Sequence, residues 1–111
     1  MTSGTPLAVA FPDAYPISPG HMLVVPHRHE PDVFSLTPDE QSHMLALAGE
    51  LRRRLAEDLG FDGVNVGINC GEVAGQTVAH AHLHFIPRYR GDVVDPAGGI
   101  RWLLPDKARY W

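Results

Sequence analysis

His80-Ala81-His82-Leu83-His84-Phe85-Ile86-Pro87 is the stretch on which the reading of the fold turns. Histidine alternates with apolar residues at period two, the pattern of a strand with one face in a core. On such a strand His80, His82 and His84 stand about 6.6 Å apart on one side, with Ala81, Leu83 and Phe85 turned inward. Pro87 has no amide hydrogen to give the ladder, so a strand over 80–86 is predicted. A solvated face explains the row poorly, because Lys, Thr or Glu would serve there equally well. A His-x-His pair can present two nitrogens to zinc, but the third histidine is far for one ion and no carboxylate lies in the strand. Catalysis fits best, since imidazole is both a nucleophile and an acid–base group near neutral pH.

Upstream, Gly75-Gln76-Thr77-Val78 lies in a loop over 70–79. Gly75 permits close backbone approach, while Gln76 and Thr77 carry neutral donors suited to phosphate oxygens and to charge that develops in a transition state. Asn69, at the end of the preceding strand, can donate to the same place. Walker and Rossmann glycine patterns are absent, so a nucleotide would be bound another way. Cys70, beside this loop, reads as a small filler rather than a nucleophile.

A helix precedes these elements. Thr37 suits an N-cap, Pro38 the first helical position and Glu40 the second half of a capping box. Met44, Ala48, Leu51, Leu55 and Leu59 follow at the spacing of one helix face, and Gly60 terminates it. Arg52-Arg53-Arg54 reads as a solvated helix face. Before the helix, 7–11 and 21–26 read as antiparallel strands joined by a Pro-rich loop, and 63–69 as a further strand. Residues 1–6 read as a frayed start. Residues 88–111 read as a largely irregular tail with an extended piece around 100–104. The order β-β-α-β-β predicts an α+β fold, an antiparallel sheet with one main helix packed on it.

The chain has 111 residues, of which 44% are hydrophobic and 20% charged, so one ordinary globular domain over 1–111 is expected. The net charge of −4 and the lack of a basic stripe argue against nucleic acid as partner. A single cysteine excludes an internal disulfide, and no CxxC pair suggests structural zinc, so no metal is expected. No signal peptide or membrane-length apolar run is evident, which gives a cytoplasmic expectation and no membrane partner. His27, His29 and His43 read as surface residues.

The run Gly75 to Arg88 resembles the signature of the histidine triad (HIT) family, His-φ-His-φ-His-φ-φ. It looks most similar to the fragile histidine triad and diadenosine polyphosphate hydrolase branch. Ala10-Phe11-Pro12-Asp13 and Pro19-Gly20-His21-Met22-Leu23-Val24-Val25-Pro26 carry a second part of the match, which covers roughly residues 7–92. The resemblance implies that His82 attacks the α-phosphorus of a nucleotide and forms a covalent nucleotidyl-histidine, which water then hydrolyses. It implies that His84 touches the phosphate and leaving-group oxygen, and that His80 and His21 orient His82. Gln76, Thr77 and Asn69 would hold the phosphate; Asp13 would accept from the ribose; Phe11 and Leu23 would line the base pocket. The bland alternatives are core positions for Phe11 and Leu23, a turn-forming Asp13 and an ordinary buried His21. A homodimer is implied, with the sheet extended or the helices paired across a two-fold axis. No cofactor is required of the protein, although a divalent metal could accompany the substrate. Nucleoside phosphoramidate hydrolysis, a nucleotide-binding signalling module and a zinc-binding protein are the alternatives. Arg88 and Arg90 read equally as attractors of polyphosphate or as solvated side chains.

Overall fold

The computed structural model describes residues 3–111. The helix forms where its local chemistry requires it. Helix α1 spans Pro38–Leu59, and its N-cap Thr37 accepts from the Glu40 amide while the Glu40 carboxylate accepts from the Thr37 amide. Gly60 closes it in the left-handed region at φ 70°. Met44, Leu47, Ala48, Leu51 and Leu55 are buried. Leu59 is 37% exposed, so the expected apolar stripe ends a turn early, and Leu47 takes an interior place that the expected stripe omits.

Five strands make one antiparallel sheet: β1 (Ser3–Gly4), β2 (Ala8–Pro12), β3 (Met22–Pro26), β4 (Gly63–Gly67) and β5 (Leu83–Arg88), in the order β1-β2-β3-β5-β4. One face, with Ala8, Ala10, Met22, Val24, Leu83 and Phe85, is buried with α1 in a single core. The expected α+β architecture is therefore the one observed.

Three expectations need correction. Within the expected frayed start, Ser3 and Gly4 pair with Ala10 and Val9, and the Thr5 hydroxyl accepts from the Ala8 amide; Met1 and Thr2 lie outside the described residues. The last expected strand begins at Leu83, not His80. Pro26 lacks an amide to continue the β3–β5 ladder, while the Ala81 amide turns to the Glu30 carbonyl at 2.7 Å. In the tail, Gly99–Leu103 is a 3-10 turn rather than an extended piece, followed by the short helix α2 (Pro105–Ala108). Arg101 ties the two together by donating to the Lys107 and Ala108 carbonyls.

Candidate functional site

The register of the sheet assembles the site on the face opposite α1. Phe11 pairs with Leu23, Leu23 with His84, and His84 with Gly67, so these four form one row across β2, β3, β5 and β4. A Cβ at Gly67 would meet nothing within 4 Å, which leaves open space beside His84. His21 enters β3 just beyond the row, with its carbonyl bonded to the Asp13 amide at 3.1 Å. The loop between Asp13 and His21 is held against the end of α1 at Gly20.

Backbone groups, which can only donate or only accept, fix where each imidazole carries its proton. His82 Nδ1 lies 2.9 Å from the His80 carbonyl, so Nδ1 bears the hydrogen and the Nε2 lone pair is free. His80 Nε2 donates to the Pro26 carbonyl at 3.0 Å, the carbonyl freed where the ladder stops. The Ile17 amide donates to His21 Nδ1 at 3.2 Å, which leaves the His21 hydrogen on Nε2. That Nε2–H faces His84 Nδ1 at 3.0 Å, so the hydrogen of neutral His84 resides on its own Nε2. The rings of His82 and His84 stand edge to face with centroids 5.1 Å apart. The arrangement therefore leaves a lone pair on His82 Nε2 and a hydrogen on Nε2 of neutral His84, in neighbouring rings. Of the expected supports for His82, His80 acts through its carbonyl, whereas His21 reaches His84.

Burial pushes the pKa of His21 below the ordinary value, and the Asp13 charge opposes this. His84 is lowered first by burial, then by His82 and His21, again against Asp13. Asp13 Oδ2 lies 3.4 Å from His21 Nε2 and 3.9 Å from His84 Nδ1, and Oδ1 accepts from the Tyr15 amide at 2.8 Å. These three donors are close enough for a cation, but the hydrogen-bonding state of His21 opposes one. A metal on Nε2 would move the ring hydrogen to Nδ1, directly against the Ile17 N–H.

Phe11 and Leu23 lie on the row with His84, not in the core, and Phe11 is 36% exposed. The Gln76 side chain is committed to its own loop: Oε1 accepts from the Gly71 amide, and Nε2 donates to the Pro31 and Val78 carbonyls. Both amide hydrogens are thereby used, so Gln76 shapes the loop and has none left for a phosphate. Thr77 is exposed and Asn69 half-buried. The Cys70 thiol donates to Asp32, and this bond, with burial, raises its pKa, the opposite of an activated nucleophile. His27 and His29 are exposed as expected; His43 is half-buried, with Nδ1 against the Thr5 hydroxyl at 3.0 Å. Arg88 is held by Asp92 and Asn65, while Arg90 extends into solvent beside Asp62. The Ile17 amide and the Pro26 carbonyl were not foreseen, because neither side chain signals the backbone's role.

A fold and histidine set of this kind define a domain of the histidine triad type. Residues 2–91 match the family model described as the HIT domain, and the chain belongs to that family. The bis(5'-nucleosyl)-tetraphosphatase [asymmetrical] of Schizosaccharomyces pombe is 39% identical over 88 residues, 79% of this chain and 48% of the relative. The bis(5'-adenosyl)-triphosphatase of Dictyostelium discoideum is also 39% identical over 88 residues, 79% of this chain and 59% of that protein. The crystal structure of the C. elegans NitFhit protein superposes with a TM-score of 0.78 at 30% identity, covering 95% of this chain and 24% of that one. The chain thus spans about half to three fifths of the length of these two curated relatives.

Proposed function

We propose that this chain is a nucleotide hydrolase that acts at an α-phosphorus through a covalent nucleotidyl-histidine, with dinucleoside polyphosphates as substrates. One observation carries the reading: the His80 carbonyl holds the His82 hydrogen on Nδ1 and leaves Nε2 free to attack. In the first step the Nε2 lone pair forms a bond to the α-phosphorus. The phosphorus–oxygen bond to the departing nucleotide breaks, and that oxygen leaves with the electron pair and takes a proton. In the second step water attacks the same phosphorus, the nitrogen–phosphorus bond returns its electrons to Nε2, and a nucleoside monophosphate departs. The two hydrolases named above support this choice of substrate.

In this reading His84 faces the leaving oxygen, Thr77 and Asn69 hold phosphate oxygens, and Phe11 and Leu23 form an apolar bed for the base. Asp13 accepts from a ribose hydroxyl. The steps require no cofactor held by the protein; a divalent cation that accompanies the polyphosphate belongs to the substrate. The chain works as a homodimer, supported by the outer edge of β4, which pairs with no strand among the described residues, and in the reducing cytoplasm, supported by its free cysteine. No helix among the described residues is long and apolar enough to cross a membrane.

The test is incubation with diadenosine tetraphosphate, α-labelled ATP and adenosine phosphoramidate, with denaturation at neutral pH to preserve a nitrogen–phosphorus bond. The wild type should release AMP and carry label on His82. His82→Asn should lose turnover by a factor of about 10⁴ or more, the scale seen when a covalent nucleophile is removed, yet bind nucleotide as before. Absence of label and product with all three substrates would leave nucleotide binding without hydrolysis.

A further inference from the structure

The hydrogen bond between His21 and His84 creates a difficulty for catalysis. With the Ile17 amide on His21 Nδ1, the neutral pair has one hydrogen between the rings and one on His84 Nε2. A departing nucleotide oxygen needs a proton. A neutral imidazole is far too weak an acid to supply it, whereas an imidazolium is well matched. An added proton must enter at His84 Nδ1, because Ile17 blocks His21 Nδ1. There it would point at the His21 Nε2–H across 3.0 Å. Two N–H groups cannot share that space without an acceptor for one of them.

Asp13 Oδ2 is the acceptor at hand, 3.4 Å from His21 Nε2 and 3.9 Å from His84 Nδ1. The Tyr15 amide on Oδ1 keeps the carboxylate turned this way. The other titratable group facing His84 is His82, beside it on the segment leading into β5; β4 presents Gly67. Asp13 is thus the charge in this set that favours the protonated state.

We propose that Asp13 is a positioning residue for proton transfer: its carboxylate takes the N–H that the His21–His84 pair must turn aside on gaining a proton. His84 then delivers its Nε2 hydrogen to the departing oxygen. The inference rests on the hydrolase reading and gives Asp13 a second task beside the ribose. The step balances. The phosphorus–oxygen electrons go to the leaving oxygen, the His84 proton joins them, and the pair returns to neutrality. The attacking water restores the proton in the second step.

The measurement is a ¹⁵N-histidine NMR titration of wild type and Asp13→Asn, with pH profiles of kcat and KM on diadenosine tetraphosphate. Loss of a carboxylate this close should lower the midpoint of the His21–His84 pair by about one unit or more. Since the pair must be protonated to act, the alkaline limb of kcat should move to lower pH by the same amount. The kcat profile is the discriminating readout, because loss of a ribose contact alone would raise KM without moving that limb. Asp13→Glu should restore part of the shift. Unchanged histidine midpoints, or a raised KM with an unmoved kcat profile, would overturn the role. The NMR arm needs no substrate, so a wild type without turnover would overturn the hydrolase reading separately.

Discussion

Glu40 is 6% exposed, and its charge is tolerated there only because it is fully engaged. Arg28 grips both carboxylate oxygens through Nε and Nη2 at 2.9–3.3 Å, and the Thr37 amide adds a bond at 2.9 Å. The Arg28 bonds are the main cause of a pKa lowered from 4.5 to about 2. A carboxyl with a depressed folded pKa stabilises the fold above its unfolded value and loses that contribution as pH falls through the folded one. Thermal stability should therefore decline between pH 4.5 and about 2. Arg28→Ala should lower the melting temperature at neutral pH and flatten this decline, as scanning calorimetry at several pH values would show. An equal acid dependence in both proteins would assign it to other carboxyls, of which Asp92, held near 2 by Arg88, is the next candidate. The same residue scale explains what could be foreseen of the site. His80, His82 and His84 announce themselves by alternation, and His21 and Asp13 by resemblance. Their hydrogen placement does not, since it depends on an amide at Ile17 and carbonyls at Pro26 and His80.

At the scale of elements, legibility follows the range of the deciding interaction. Helix α1 was readable almost to the residue because Thr37, Pro38, Glu40 and Gly60 act within one turn of its ends. The first half of the last expected strand was not, because its fate is set by Glu30 and Pro26, some fifty residues away in the chain. The loop that carries Ile17 to His21 depends on one close approach. Gly20 lies at φ +86°, and a Cβ there would meet Leu59 Cδ1 at 2.6 Å and Pro87 Cγ at 3.1 Å. The Leu59 side chain can swing away; the backbone angle and the Pro87 ring cannot. Gly20→Ala should destabilise the protein by about 1–3 kcal/mol. It should also loosen the Ile17–His21 bond. Gly67→Ala is the contrast, with ordinary φ and open space, and its melting temperature should stay near that of the wild type. Equal losses in the two variants would show that the seat on α1 does not hold the loop.

At the scale of the molecule, apolar surface and an open ladder edge occur together. Among the described residues no strand pairs with the outer side of β4, and Val66 within it and Ile68 just after it are 43% and 39% exposed. The tail adds Ile100, Leu103, Leu104 and Tyr110, all more than 60% exposed. An edge of this kind invites another strand unless a charge guards it, and β4 (Gly63–Gly67) carries none. A second copy meeting β4 across a two-fold axis would continue the sheet and bring each Val66 towards its counterpart. Light scattering should then give twice the chain mass of 12.2 kDa at micromolar concentration. Val66→Lys should shift this to one chain mass, because like charges would face each other across the new ladder. Val73→Lys, on a fully exposed 3-10 turn, should not. Circular dichroism of the monomeric variant should match the wild type, since Val66 lies outside the buried core. A wild type that remains at one chain mass up to about 100 µM, well above the dissociation constants of stable homodimers, would mean that the β4 edge stays free in solution. The exposed tail would then need another explanation.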